Sequence, residues 1–259
     1  MNGIEYRLRE FIRPEDGRCL MLDASAGLAL GALPGLDDFA EGIRPVLSAV
    51  DGLVLSPGQL RRMPKRTRGD AGLLVRADWT NTLRGSDFVL PPTKPRWQPI
   101  LSAQEALDLG AVGMVSTFLL GYEEEVEAAC LRATVQWAME GTAIGMPLVV
   151  EIRADGPRVS LAEKAVELGA SYALEGGADV VVVPYPGPRS LETIAAFVSV
   201  PWLVKPNSLE AAPAVLEEVM RLGGAGLWLD QRLLAPGYGA ARVGELGTRL
   251  HQPAAEVRA

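Results

Sequence analysis

Lys205 is the residue of this chain best suited to covalent chemistry. Only four lysines occur among 259 residues, at positions 65, 94, 164 and 205, against 21 arginines. Lys65 and Lys94 fall in loop-like stretches and Lys164 near a helix start, where solvated surface roles are expected. Lys205 alone follows directly on a buried-type run, Trp202-Leu203-Val204. Burial penalises the ammonium form, so the expectation is a lowered pKa and more free amine, the form that attacks a carbonyl to make a Schiff base. The alternative is an ion pair between Lys205 and Asp230 or Glu151, and the residues alone leave both open.

Other polar residues also stand where apolar runs stop: Asp23, Ser56, Arg76, Asp78, Ser116, Thr117, Glu151, Arg153, Asp155, Tyr185, Asn207, Asp230 and Arg232. With Lys205 they make a set of acids, bases and anion binders. From it we take Lys205, Asp23, Glu151 and Tyr185 as catalytic candidates. Arg153, Asp78, Asn207, Asp230 and Arg232 are taken as substrate-binding candidates. No metal is expected: the only histidine, His251, lies far from every run's end, and a Mg²⁺ site made of Asp23, Glu151 and Asp230 is the weaker alternative.

The elements that must position these groups alternate along the whole chain. The centre of the pattern is Ala178–Pro206, where two apolar runs flank a helical segment from Pro188 to Val198 and end in Tyr185 and Lys205. Such a unit reads as strand-helix-strand with parallel, doubly buried strands. Further strands are predicted at Cys19–Leu22, Gly52–Leu55, Gly72–Val75, Ala111–Val115, Pro147–Ile152 and Gly226–Leu229. Helices are predicted at Ile4–Ile12, Asp37–Val50, Ala103–Leu109, Glu123–Glu140, Leu161–Glu175 and Arg242–His251. The stretch Asn81–Ile100 carries four prolines and is expected to be irregular and functional or flexible.

Eight strands with intervening helices predict an α/β fold, a TIM (β/α)8 barrel as one domain over residues 1–259, with the polar residues gathered at its C-terminal mouth. An open doubly wound sheet is the alternative, but the first strand is followed by Asp-Ala-Ser-Ala-Gly-Leu rather than a Gly-rich turn.

Composition excludes some functions. A formal charge of -7 argues against nucleic acid as a partner, and Arg61–Arg68 is expected to be a solvated basic loop. No run reaches the roughly 20 apolar residues of a membrane span, and the N-terminus has no signal-peptide pattern, so a cytoplasmic location is expected. Cys19 and Cys130 are expected to be buried, reduced thiols.

The blocks Leu8–Asp23, Leu53–Leu60, Gly72–Arg76, Ser102–Ala111 and Gly177–Val181, in this order, resemble the DhnA-type and archaeal class I fructose-bisphosphate aldolases, which belong with the deoxyribose-phosphate aldolase-like TIM barrels. The resemblance runs from about Leu8 to about Asp230. It implies carbon–carbon bond chemistry on a small carbonyl substrate, no cofactor, and a homo-oligomer. The chain departs from the resembled pattern in ways that matter. The Schiff-base lysine of the sixth strand is matched by Val182, and the tyrosine after the fifth by Arg153. The glycine-rich phosphate grip is matched by Lys205-Pro-Asn207 and Asp230-Gln. A carboxylate repels a phosphate, so the usual sugar bisphosphate is not the expected substrate. Either Lys205, on the seventh strand, forms the imine, or the barrel has diverged into a small-molecule-binding or assembly protein.

Overall fold

The computed structural model describes residues 2–31, 42–63, 70–233 and 239–252. In chain order the strands are β1 (Cys19–Asp23), β2 (Gly52–Leu55), β3 (Gly72–Arg76), β4 (Asp78–Thr80), β5 (Trp97–Pro99), β6 (Gly113–Leu119), β7 (Leu148–Arg153), β8 (Val180–Pro184), β9 (Trp202–Lys205) and β10 (Gly226–Asp230). Eight of them close a parallel barrel in the order β1-β2-β3-β6-β7-β8-β9-β10, with β10 returning to β1. The expected barrel is present, and the doubly wound alternative is excluded by that closure.

The period of two along each strand explains why the runs are almost wholly apolar. Leu20, Leu22, Leu53, Leu73, Val150, Val181 and Leu227 belong to the core between barrel and helices. Their neighbours Cys19, Met21, Val54, Leu74, Val149, Val182, Leu203 and Trp228 fill the barrel itself. Both faces are buried, so no polar alternation marks the strands. Two residues beyond the last apolar inward position, the same parity delivers Asp23, Arg76, Glu151, Lys205 and Asp230 to the C-terminal mouth.

At the other end the barrel is closed by Phe11 and Ile12. The first helix is therefore shorter than expected: it spans Gly3–Leu8, held by an Asn2–Glu5 capping box, and the chain then turns to send Phe11 inward. Glycines at the strand starts make room for it. A Cβ on Gly72 would lie 2.4 Å from the Glu10 carbonyl oxygen and 2.9 Å from Phe11 Cβ. His251, at the end of the Gly239–Leu250 helix, braces this floor with Nδ1 2.6 Å from Asp16 and Nε2 3.0 Å from Asp51.

Two further expectations need correction. Asn81–Ile100 is not wholly irregular, because Trp97–Pro99 pairs antiparallel with Asp78–Thr80; Pro99 is tolerated at the end of this two-stranded edge ribbon. The fourth barrel strand runs Gly113–Leu119, later and longer than expected. A helix at Ala212–Arg221, following Lys205, carries no expectation above, and it starts with Pro213 in its first turn. Part of the Asp37–Val50 helix and most of the Arg61–Arg68 cluster lie outside the described residues. Both cysteines are buried and unpaired, as expected. Among the described residues no helix is long and apolar enough to cross a membrane.

Gly72→Ala drives a methyl group into backbone that cannot yield. A loss of about 1–3 kcal/mol is expected, measured as a lower urea midpoint at unchanged slope.

Candidate active site

An unbroken chain of alternating charge crosses the barrel mouth. Arg76, on β3, is 8% exposed in its side chain and sits at one end of it. Its Nη2 lies 2.5 Å from Asp23 Oδ2 and 3.0 Å from Glu151 Oε2. Its Nη1 donates to Thr117 Oγ1 at 2.9 Å and its Nε to Ser25 Oγ at 3.2 Å. Glu151 Oε1 is 2.9 Å from Lys205 Nζ, which is also 2.9 Å from Asp230 Oδ2. Arg232 ends the series with a two-pronged grip on Asp230, through Nε at 2.9 Å and Nη2 at 2.6 Å. Each cation therefore sits between or against carboxylates, which is what buried charges require.

These contacts set the protonation states. Burial raises the Glu151 pKa, but Lys205 and Arg76 outweigh it and hold the carboxyl down at about 2. Asp230 is also lowered, against burial, by Arg232 and Lys205. Lys205 reverses the sequence-based expectation: burial does push its pKa down, but Glu151 and Asp230 push harder and the net shift is upward. The resting group is an ammonium.

Asp78 lies beside Arg76. Its Oδ2 accepts from Trp97 Nε1 and from the Thr117 backbone N–H, both at 2.6 Å, and Oδ1 faces Arg76 Nη1 at 3.8 Å. Its carboxylate thus ties the β4–β5 ribbon to β6 next to Arg76. Burial raises its pKa despite these partners.

Two recesses flank Lys205. One, of ≈ 50 Å³, lies above Asp23, Arg76, Glu151 and Asp230; that is room for a few waters only. The other, of ≈ 400 Å³, is lined by Arg153, Asp155, Glu163, Tyr185, Lys205, Asn207 and Arg232, and its size suits a small ligand. Arg153 is held there by Thr82 Oγ1 at 2.9 Å and by Asp155. Asn207 is exposed on the cleft wall. Tyr185 lines the cleft, but its hydroxyl donates to Glu218 Oε2 at 2.7 Å, on the Ala212–Arg221 helix. It does not reach the charge chain.

Of the other strand-end residues, Ser56 caps the Pro57–Arg62 helix, and Ser116 has the parity that faces outward. Asp23, Glu151 and Asp230 do converge, but each carries a cation partner, and no group of three or more His, Cys, Asp or Glu among the described residues is arranged to hold a metal ion. Arg76, expected only as one of the strand-end polar residues, is the side chain of this site that holds the most partners. Its signal was available: an arginine at inward parity two residues after Leu74 in an otherwise apolar strand.

Val182 is fully buried inside the barrel, and its register partner on β7 is Glu151. Lys205 is the register partner of Pro184, two residues further up. Its amine nevertheless contacts Glu151. A long side chain from the seventh barrel strand thus reaches the sector into which a side chain at 182 would point.

Arg76→Leu would leave Asp23, Asp78 and Glu151 short of their shared cation. A loss of about 3–5 kcal/mol at pH 7 is expected. The wild-type contribution from Glu151, whose folded pKa lies below its ordinary value, is complete above about pH 4.5 and disappears as the pH falls toward 2. Urea unfolding of the two proteins between pH 7 and pH 3 should therefore converge as the pH falls.

The comparisons with known proteins agree with this architecture. Residues 20–218 match the model of the DeoC/LacD family aldolases. An uncharacterised aldolase of Pasteurella multocida is 25% identical over 203 residues, covering 78% of this chain and 66% of that protein. The 2-amino-3,7-dideoxy-D-threo-hept-6-ulosonate synthase of Halobacterium salinarum is 29% identical over 175 residues, covering 66% of this chain and 62% of that protein. The chain thus spans a little under two thirds of the length of both relatives. Among solved structures, a Schiff-base-forming fructose-1,6-bisphosphate aldolase superposes with a TM-score of 0.79 at 21% identity, covering 96% of this chain and all of that one. An archaeal fructose-1,6-bisphosphate aldolase gives 0.77 at 22% identity, covering 96% of this chain and 98% of that one. With a family match over most of its length and a closed barrel of the same architecture, this chain belongs to the DeoC/LacD family of aldolases.

Proposed function

We propose that this protein makes or breaks a carbon–carbon bond in a small carbonyl compound through an imine on Lys205. What carries the reading is the position of that amine: it borders a cleft of ≈ 400 Å³ and is hydrogen-bonded to Glu151 at 2.9 Å. In the first step the ammonium passes a proton to Glu151. The free amine then adds to the carbonyl carbon, and the carbonyl oxygen leaves as water. Glu151, a carboxylate again once its proton has left with the water, takes the proton of the hydroxyl on the departing carbon. The bond between that carbon and the one next to the imine carbon breaks, its electron pair passes into the cationic imine, and an enamine and an aldehyde result. Glu151 handles the protons at nitrogen, while Asp23 keeps Arg76 in place beside it. Asp230 and Arg232 close the far side of the amine, and Arg153 and Asn207 offer polar contacts to the substrate.

A second reading has a specific observation in its favour. An ammonium held by two carboxylates is a poor nucleophile, and Val182 occupies the position matched to the family's lysine. On this reading the barrel binds a small molecule without turning it over. The exposed Leu131, Val135 and Met139, spaced four residues apart on the Glu124–Ile144 helix, support a homo-oligomer on either reading. Light scattering should give a mass above one chain's 27.6 kDa; a monomer refutes it.

Borohydride reduction in the presence of small aldehydes and ketones separates the two readings. The imine route predicts a hydride-trapped adduct that maps to Lys205 and is lost in Lys205→Met. Because the amine's pKa is raised, adduct formation should increase with pH through the alkaline range. In Glu151→Gln the profile should move to lower pH, since one of the carboxylates that stabilise the ammonium is gone. A clean blank across many carbonyl compounds removes the imine route.

A further inference from the structure

We propose that the carbonyl substrate is a 2-oxo acid, whose carboxylate is gripped by Arg232 while Lys205 attacks the neighbouring carbonyl carbon. The inference rests on the Lys205 reading above and adds the chemical class of the substrate.

Lys205 and Arg232 share one carboxylate oxygen. Lys205 Nζ and Arg232 Nη2 both bind Asp230 Oδ2, at 2.9 and 2.6 Å. Amine and guanidinium can therefore be no farther apart than those two contacts laid end to end. In a 2-oxo acid the carboxylate carbon is a single bond of about 1.5 Å from the reacting carbon, and a charge-assisted N–H···O contact spans about 2.8 Å. An imine at Lys205 then puts the acid's oxygens within reach of the guanidinium. An anion carried several bonds further out, such as a phosphate on a hydroxymethyl group, would overshoot it.

The donors and the charge agree with this spacing. Arg232 uses Nε and Nη2 on Asp230 and has a side chain 39% exposed at the cleft. Among the five N–H donors of a guanidinium, those on Nη1 make no bond to Asp230. A second carboxylate can approach on that edge, a geometry well suited to arginine. Because Asp230 already neutralises much of the cation, the cleft suits a single negative charge. A phosphate dianion would also face Asp155 and Glu163 on the cleft wall.

The test incubates the protein with pyruvate, acetone or dihydroxyacetone phosphate at equal concentration, then reduces with borohydride. In a productive reaction Nζ bonds to the carbonyl carbon, the oxygen leaves as water, and hydride adds to that carbon to give a stable secondary amine. The adduct on Lys205 is quantified by intact mass and peptide mapping, with circular dichroism to confirm that each variant is folded. Pyruvate should be trapped more efficiently than acetone or dihydroxyacetone phosphate. Arg232→Leu also removes a partner of Asp230, so the acetone adduct in the same variant is the internal reference: the pyruvate adduct should fall roughly 10- to 100-fold relative to it, and Arg232→Lys should recover only part of that ratio. Equal trapping of acetone, preference for the phosphate ester, or a pyruvate adduct indifferent to Arg232 overturns the 2-oxo acid assignment while the Lys205 reading stands. No adduct with any of the three overturns both.

Discussion

The buried guanidinium of Arg76 is the constraint on which the barrel mouth depends. It stands at the end of a strand whose inward face is otherwise apolar, and it is bonded or paired to groups from four of the eight barrel strands or their loops: Asp23 and Ser25, Asp78, Thr117 and Glu151. Its ring-face neighbour below is Trp228, 6.0 Å away. Remove the cation and three buried carboxylates are left without enough counter-charge. Keep it, and Glu151 is fixed with one oxygen toward Arg76 and the other toward Lys205.

That second oxygen links architecture to chemistry. Lys205 is not a lysine activated by burial in an apolar pocket. It is an ammonium stabilised by Glu151 and Asp230, and on the proposed route it attacks only after a proton has moved. A buried ion network is weak evidence for stability, because well-packed apolar side chains of similar volume are often as stable or more so. The presence of six linked charges across this mouth, next to a cleft that admits a small ligand, supports the binding and proton-transfer roles proposed for them. The two carboxylates suppress the free amine at rest, and Glu151 is the acceptor in the proposed first step.

The barrel was legible in the sequence because its physics is local and repeated. Continuous runs such as Val180–Val183 belong to strands buried on both faces, and their spacing left room for a helix between each pair. The ends of the runs located Lys205, Glu151 and Asp230, and both ion-pair partners named for Lys205 are found on it. Sequence could not give the balance between burial and charge at Lys205, because both act on the same nitrogen and only distances decide the winner. Nor could it show that the Tyr185 hydroxyl turns away to Glu218, which depends on where the Ala212–Arg221 helix packs. Arg76 was visible as an arginine at inward parity, but its four-sided coordination needs the closed barrel. Trp97–Pro99 escaped because surrounding prolines mask a strand that pairs only through a three-residue ribbon.

The proposed chemistry turns on the charge state of one nitrogen, and ¹⁵N-detected NMR of the lysine side chains measures it directly. The chain has only four lysines, so the Lys205 resonance can be assigned with a single Lys205→Arg variant. The predicted result is an ammonium signal at neutral pH, protected from exchange by its two carboxylate partners, that titrates above a lysine's ordinary value of 10.5. A neutral amine at pH 7, or a titration below that value, would contradict the charge chain and restore the apolar-pocket mechanism that the sequence alone suggested.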